Sequence, residues 1–133
     1  MSVNRISTLQ IPRTSLRVTV DESLDAGAWE PLDRCAGEPY GAYRSICLYL
    51  SDTETATIAK SYVDAVLVDG DDEIGFQADP DRGEWDGDAA IVAAASAHSR
   101  AIYRTCFELL NRLGAALEPS ARAAIAQQKR GGA

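Results

Sequence analysis

The residues of this sequence best suited to chemistry are three cysteines, one histidine and a dense run of carboxylates. Cys35, Cys47 and Cys106 are widely spaced, form no CxxC pair, and have only His98 as a histidine companion. Protein zinc sites draw on closely spaced Cys and His ligands, so this pattern predicts no zinc site. Unpatterned cysteines fit a reducing compartment, where they behave as small apolar residues.

Nucleophilic catalysis would need a cysteine within hydrogen-bond reach of the histidine. Cys106 lies about two turns beyond His98 on one predicted helix, which is outside that reach. A lone histidine in an apolar helical stripe is usually a packed core residue, and we interpret His98 in this way. We therefore expect no catalytic residues, no cofactor and no enzymatic activity.

The carboxylates concentrate in residues 69–88, where nine are Asp or Glu and only Arg82 offsets them. An EF-hand loop starting at Asp69 fails, because Ile74 occupies the glycine position and Pro80 the position of the bidentate Glu. A looser Ca²⁺ or Mg²⁺ site needs only clustered oxygens. A divalent-metal-dependent enzyme using this loop is therefore one alternative, and a solvated connection is another.

The same acidic stretch is suited to binding a basic protein surface. Trp85 lies inside it, and tryptophan is enriched among the residues that dominate binding energy. Alternatively, Trp85 packs into the core beside the start of the following helix, with Asp86 or Asp88 as its N-cap. We predict a partner-binding surface made of five residues, Asp79, Asp81, Glu84, Trp85 and Asp86.

Charge along the chain narrows the kind of partner. The net charge is −7, with −14 in residues 21–88 and +7 in the two ends together. Nucleic-acid affinity rests on cationic contacts to phosphate, so no direct nucleic-acid binding is expected. This charge asymmetry fits two interpretations. Either the basic ends of the chain pair with its acidic middle, or the acidic middle forms a face that binds a basic protein partner. Arg100, Arg104 and Arg112 form a basic row that we interpret as a solvated face, and as a second candidate surface that could bind a second copy of the chain.

The 133 residues and 46% apolar content predict one globular domain, with residues 129–133 as a frayed tail. The first residues contain no apolar signal segment. The longest apolar run, residues 89–95, is too short to span a membrane. We therefore expect a cytoplasmic protein.

Strands are predicted where apolar residues alternate or where β-branched and aromatic residues cluster. Residues 15–20 alternate and pair with 5–11, and residues 43–50 form a second strand, buried on both faces. Residues 21–29 are expected to form a short helix. Residues 30–42 are expected to form a loop because they are rich in Gly and Pro.

The middle of the chain is ambiguous. Ser51 followed by Glu54 matches a capping box, so a helix is predicted over 52–64. Residues 63–68 either end this helix or form a hairpin with 73–78, since Asp-Gly is a strong hairpin signal.

The strongest predicted element is a helix over about 88–113, which Gly114 should end. Pro119 should then open a short final helix. The fold class is therefore predicted as α+β, with a small, mainly antiparallel sheet packed on one long C-terminal helix. The predicted apolar stripe of that helix is Ile91, Ala95, His98, Ile102, Cys106, Leu109 and Leu113.

The interpretation that best fits these patterns is a non-catalytic acidic binding protein that engages another protein, as an inhibitor, immunity or anti-defence factor, or chaperone-like adaptor. Besides the metal-dependent enzyme, a second alternative is a small-ligand module at the Tyr- and Gly-rich loop 37–44. There, Tyr40 and Tyr43 would line the ligand site.

Overall fold

Seven strands and two helices make up the described part of the chain, residues 8–20, 29–77 and 85–131 of a computed structural model. Every strand pairing among them is antiparallel, and both helices follow the sheet. The predicted α+β class is confirmed. The elements are β1 (Thr8–Gln10), β2 (Leu16–Val20), β3 (Glu30–Pro31), β4 (Gly41–Asp52), β5 (Ile58–Val68), β6 (Gly75–Gln77), β7 (Asp86–Gly87), α1 (Ala89–Ala97) and α2 (Ser99–Gly131).

The sheet is curled around its central hairpin. Its strand order is β1-β2-β4-β5-β6, with β3 paired to β4 and β7 paired to β5. The predicted pairing of the first two strands is confirmed in β1 and β2. The hairpin alternative after Asp69 is also confirmed, because Val66 pairs with Gly75 around a turn in which Gly70 has φ +101°.

One face of the sheet carries the core. In β5, every second side chain from Ala59 to Leu67 is buried, as the two-residue period of a strand requires. Every second side chain of β4 from Ala42 to Leu50 is buried on the same principle. Helices α1 and α2 cover this face, where their Ile91, Ile102 and Leu109 are at most 2% exposed. The opposite face carries Ile58 and Tyr62, which are more than half exposed.

The predicted helix over 52–64 is wrong. These residues end β4, form a turn and begin β5. All eleven residues of β5 pair with β4, from Ser51↔Ile58 to Gly41↔Val68. The helical spacing of Ile58 and Tyr62 misled the prediction. The two side chains share the outer sheet face instead, and the β-branched content of the segment suits a strand.

The side chain of Asp52 closes the turn that was taken for a helix start. Its Oδ1 accepts hydrogen bonds from the Glu54 amide at 2.8 Å and from the Ser15 hydroxyl at 2.9 Å. These bonds hold the pKa of Asp52 below its ordinary value, the amide of Glu54 having the largest effect. A local side-chain bond of this kind competes with helix formation.

The predicted helix over 88–113 is divided and extended. Asp88 caps α1 by accepting from the Ala90 amide at 2.9 Å, as one alternative predicted. The chain then leaves helical geometry at His98, and α2 continues from Ser99 to Gly131, about 50 Å by helical rise. Gly114 does not end the helix, since it is buried within α2.

Pro119 does not open a separate final helix, because α2 continues through it. Contacts with the rest of the chain hold the residues beyond the proline. The indole of Trp29 donates to Ser120 Oγ at 3.0 Å, and Lys129 pairs with Asp69 at 2.6 Å. Tertiary contacts therefore outweigh the missing backbone hydrogen bond at Pro119.

Residues 129–131 belong to α2, whereas 132–133 lie outside the described residues. The helix predicted over 21–29 also lies outside them, except for Trp29. Within the described ranges, neither helix combines the length and apolar character needed to cross a membrane.

Candidate functional site

The predicted acidic surface is only partly placed. Asp79, Asp81 and Glu84 lie outside the described residues, while Asp86 is exposed in β7. The strand before these residues, β6, pairs with β5 at residues 64–66, and the strand after them, β7, pairs with β5 at Ala59 and Lys60. The chain is therefore anchored to β5 on both sides of residues 78–84.

Trp85 packs in the core instead of presenting its ring at the surface. It is 5% exposed and belongs to the main hydrophobic cluster. Its Nε1 has no hydrogen-bond partner within the described residues. Of the two roles considered for Trp85, the structure shows packing in the core. The exposed part of its ring is too small to anchor a partner.

Among the residues the structure describes, no group of three or more His, Cys, Asp or Glu side chains is arranged to hold a metal ion. Two of the four acidic residues between β5 and β6 have other contacts. Asp69 pairs with Lys129, and the carbonyl of Asp71 accepts from Arg122 at 2.7 Å.

The cysteines and the histidine are not assembled into one site. Cys35 is an exposed thiol, whereas Cys47 and Cys106 are buried. His98 is exposed at the end of α1, so the interpretation of His98 as a packed core residue is wrong. His98 is the residue at which the chain leaves helical geometry between α1 and α2.

In the loop over 37–44, both tyrosines contact neighbours in their own chain. The guanidinium of Arg34 lies 3.9 Å above the Tyr40 ring. Tyr43 donates a hydrogen bond to Glu30 at 3.3 Å, and the negative charge of Glu30 raises the pKa of Tyr43. These contacts stabilise the loop and the start of β4.

A concave surface that the sequence did not indicate lies between β6 and α2. Its two adjoining parts measure about 300 and about 590 Å³ and share Ile74, Phe76 and Phe107. We call it the β6–α2 groove. Ile74, Cys106 and Leu110 are buried among its lining residues, none of them more than 7% exposed.

Two aromatic side chains stand exposed beside this groove. Tyr103 is 42% exposed and Phe107 is 57% exposed. Their ring centroids are 6.3 Å apart with an interplanar angle of 18°, so the rings stack one turn apart on α2. The spacing of Tyr103, Phe107, Leu110 and Gly114 was the available sequence signal, since it forms a second apolar column beside the predicted stripe.

The rim of the β6–α2 groove is acidic. Asp72, Glu73 and Glu118 line it. Glu118 is already paired with Arg122 at 2.7 Å. Within the described part of the chain, Asp72 and Glu73 form no ion pair, so their charges are available to a cationic ligand.

The basic row on α2 is exposed, as the solvated-face interpretation predicted. Its members differ in their surroundings. Arg112 pairs with Glu108 one turn away, and Arg104 lines a second cleft beside the β1–β2 turn. Within the described residues, Arg100 neither forms an ion pair nor lines this cleft.

Comparison of the chain with protein-family models, with curated protein sequences and with solved structures finds no match.

Proposed function

We propose that this chain is a non-catalytic binding protein that engages a segment of another protein in the β6–α2 groove. The stacked, exposed pair Tyr103 and Phe107 beside an apolar groove carries the proposal. Apolar surface gathered around a concavity is characteristic of interaction sites, whereas apolar residues scattered singly are ordinary.

The charges around the groove support a cationic partner segment. Asp72 and Glu73 lie on its rim, and the chain as a whole carries −7. One wall of the groove is formed by β6, which ends at Gln77. The next seven residues of the sequence contain three more carboxylates, those of Asp79, Asp81 and Glu84. Complementary charge of this kind increases the association rate and selects partners.

The exposed aromatic surface at the groove favours a peptide segment. The two parts of the groove, about 300 and about 590 Å³, fall within the range for small-molecule sites, but the exposed rings of Tyr103 and Phe107 add apolar surface that a peptide side chain can cover. One bulky apolar side chain could contact Phe107 and the buried floor while flanking Lys or Arg residues reach Asp72 and Glu73. The proposed ligand is therefore a short segment with an apolar residue between basic ones.

Selection of peptides from a random display library on the immobilised chain tests this proposal. Peptides with Leu, Phe, Trp or Met flanked by Lys or Arg should be enriched. Synthetic copies should lose roughly tenfold or more in affinity for Phe107→Ser, because aromatic anchors dominate binding. Tyr62→Ser is the matched control, since Tyr62 is 55% exposed but lies on the opposite sheet face. It should change affinity less than about twofold.

A blocking variant provides a second readout. Ala115 lines the groove, whereas its neighbour Ala116 is exposed and does not. Ala115→Arg should abolish peptide binding by filling the groove and neutralising its rim, and Ala116→Arg should leave it intact. Selected peptides that bind Phe107→Ser and Ala115→Arg as tightly as the wild type would rule out the groove as the site. Failure to enrich any such peptide would count against the proposed ligand.

A further inference from the structure

A second cleft lies between the β1–β2 turn and α2, on a different flank of the helix from the β6–α2 groove. It measures about 560 Å³. Its polar lining residues are Arg13, Thr14, His98, Arg104, Thr105 and Glu108. We call it the Arg13 cleft. Two arginines and the only histidine of the chain thus line one concave surface, and all three are exposed.

The β1–β2 turn holds Arg13 at the cleft through a dense set of hydrogen bonds. The Thr14 hydroxyl donates to the Ile11 carbonyl at 2.9 Å, and Gln10 donates to the Thr14 carbonyl at 2.7 Å. Arg13 itself has φ +65°, a conformation uncommon for a long side chain. The surrounding bonds therefore fix the turn and the direction in which Arg13 leaves it.

Helical spacing brings the other cations to the same cleft. His98 precedes α2, and the lining residues within α2 are Ala101, Arg104, Thr105 and Glu108, each three or four residues from another of the set. Positions so spaced share one side of a helix. The cleft is therefore lined by Arg13 from the turn and by His98 and Arg104 from the helix region.

The charges in the cleft are unbalanced. Neither Arg13, His98 nor Arg104 has a hydrogen bond or ion pair through its side chain within the described residues. Glu108, the one acidic lining residue, is paired with Arg112. Exposed cations that lack an ion pair and lie at one concave surface attract anions.

The geometry points to the Arg13 cleft as a binding site for a small phosphate monoester. Guanidinium groups recognise phosphate by paired hydrogen bonds. Arg13 and Arg104 would contact the phosphate oxygens from opposite sides, and His98 would add a third donor when protonated. The cleft is larger than a phosphate group needs and has the volume of an ordinary small-molecule site, so it leaves room for the esterified part.

NMR titration of the whole chain tests the site, because His98 is its only histidine and gives one pair of imidazole resonances. The probes are inorganic phosphate, glycerol phosphate and adenosine monophosphate, each at constant ionic strength set with sodium chloride. All three should shift the His98 resonances saturably. Tighter binding of either ester than of inorganic phosphate assigns the site to an ester, whereas equal or weaker binding of both esters overturns that assignment.

Three glutamine variants identify the groups involved. Arg13→Gln and Arg104→Gln should each weaken binding roughly tenfold or more, as loss of a charge-assisted hydrogen bond does. Arg100→Gln removes the same charge from the same helix without touching the cleft, and it should change affinity less than about twofold. Thermal unfolding of each variant confirms that it is folded. Equal weakening by all three variants, or no saturable shift in the wild type, overturns the proposal.

The pH dependence with sulfate gives an independent check, since sulfate keeps its charge between pH 5.5 and pH 8. Sulfate should bind more tightly at the lower pH, because a protonated imidazole carries a positive charge and donates from both ring nitrogens. The charged groups around His98 in the cleft are Arg13, Arg104 and Glu108. His98→Gln should remove the pH dependence while leaving binding measurable at pH 8. A dependence that persists in His98→Gln would exclude the imidazole from the site.

Discussion

Gly114 of α2 faces the ring of Phe76 of β6 so closely that a methyl group on its Cα would lie 3.2 Å from Cε2 of that ring. The absence of a side chain at this position lets the edge strand approach the helix. The contact also sets the width of the β6–α2 groove, which both residues line. A glycine in the middle of a helix costs up to about 1 kcal/mol relative to alanine, so close packing is its physical justification here.

Gly114→Leu should therefore destabilise the protein in spite of the better helix propensity of leucine. Overpacking of this kind costs about 1–3 kcal/mol. Gly131→Leu is the matched control, since nothing lies within 4 Å of the Cβ that it would add. Urea unfolding should show Gly114→Leu less stable than Gly131→Leu by that amount, and equal stabilities would contradict the close approach of β6 to α2.

The phase of α2 predicts opposite outcomes for two residues half a turn apart. Ile102 is 0% exposed, whereas Arg104 is exposed. Ile102→Asp should cost about 3–5 kcal/mol in the free energy of unfolding, because it leaves a buried charge unpaired. Arg104→Ala should change it by less than about 0.5 kcal/mol. Similar effects of the two in denaturant titrations would mean that the helix presents a different face to the sheet.

The fold was predictable from sequence where local pattern and tertiary packing agree. The alternation of Leu16, Val18 and Val20 predicted β2, and all three are buried. The predictions failed where packing overrides local signals. Gly114 was expected to end one helix and Pro119 to open another, yet α2 continues through both, with Ala121 and Ile125 buried beyond them.

The candidate site was less predictable than the fold. Trp85 was predicted as a partner-binding residue because it lies within the acidic residues 69–88. Sequence alone does not distinguish a buried tryptophan from an exposed one. Tyr103 and Phe107 lie on α2 beside its buried stripe and remain exposed. Their helical spacing was visible in the sequence, but whether a strand would cover them was not, because that depends on where β6 ends.

Stability at acid pH should depend on Asp52. Its pKa in the folded state is lowered from 3.8 by the hydrogen bonds from the Glu54 amide and the Ser15 hydroxyl. The ionised carboxylate therefore stabilises the folded state above pH 3.8, the ordinary value, and this contribution is lost as pH falls through the folded-state pKa.

Asp52→Asn isolates this effect, because asparagine keeps an acceptor oxygen for the turn at every pH. The wild type should be the more stable of the two at pH 7, and the difference should shrink once pH falls below about 4. Urea titrations at pH 7, 5, 4 and 3 measure it. A difference that is constant across this range would show that the charge of Asp52 does not stabilise the turn.

The carboxylates of residues 79–86 should promote association with a partner, whereas Trp85 should stabilise the fold. Like charges repel, so replacing Asp79, Asp81, Glu84 and Asp86 with Asn or Gln should keep or slightly raise the free energy of unfolding. Trp85→Ala should instead lower it by about 3–5 kcal/mol, since the ring is 5% exposed within the core.

Binding kinetics with a basic peptide ligand of the β6–α2 groove then separate the two roles. The neutralised variant should associate more slowly, and its affinity should depend less on salt, because long-range attraction acts mainly on the association rate. Phe107→Ser should mainly speed dissociation, as loss of a contact anchor does. An unchanged association rate and an unchanged salt dependence in the neutralised variant would show that the carboxylates of this segment do not face the bound ligand. Arg100, Arg104 and Arg112 would then be the next surface to examine by the same kinetics, with an acidic ligand in place of the basic one.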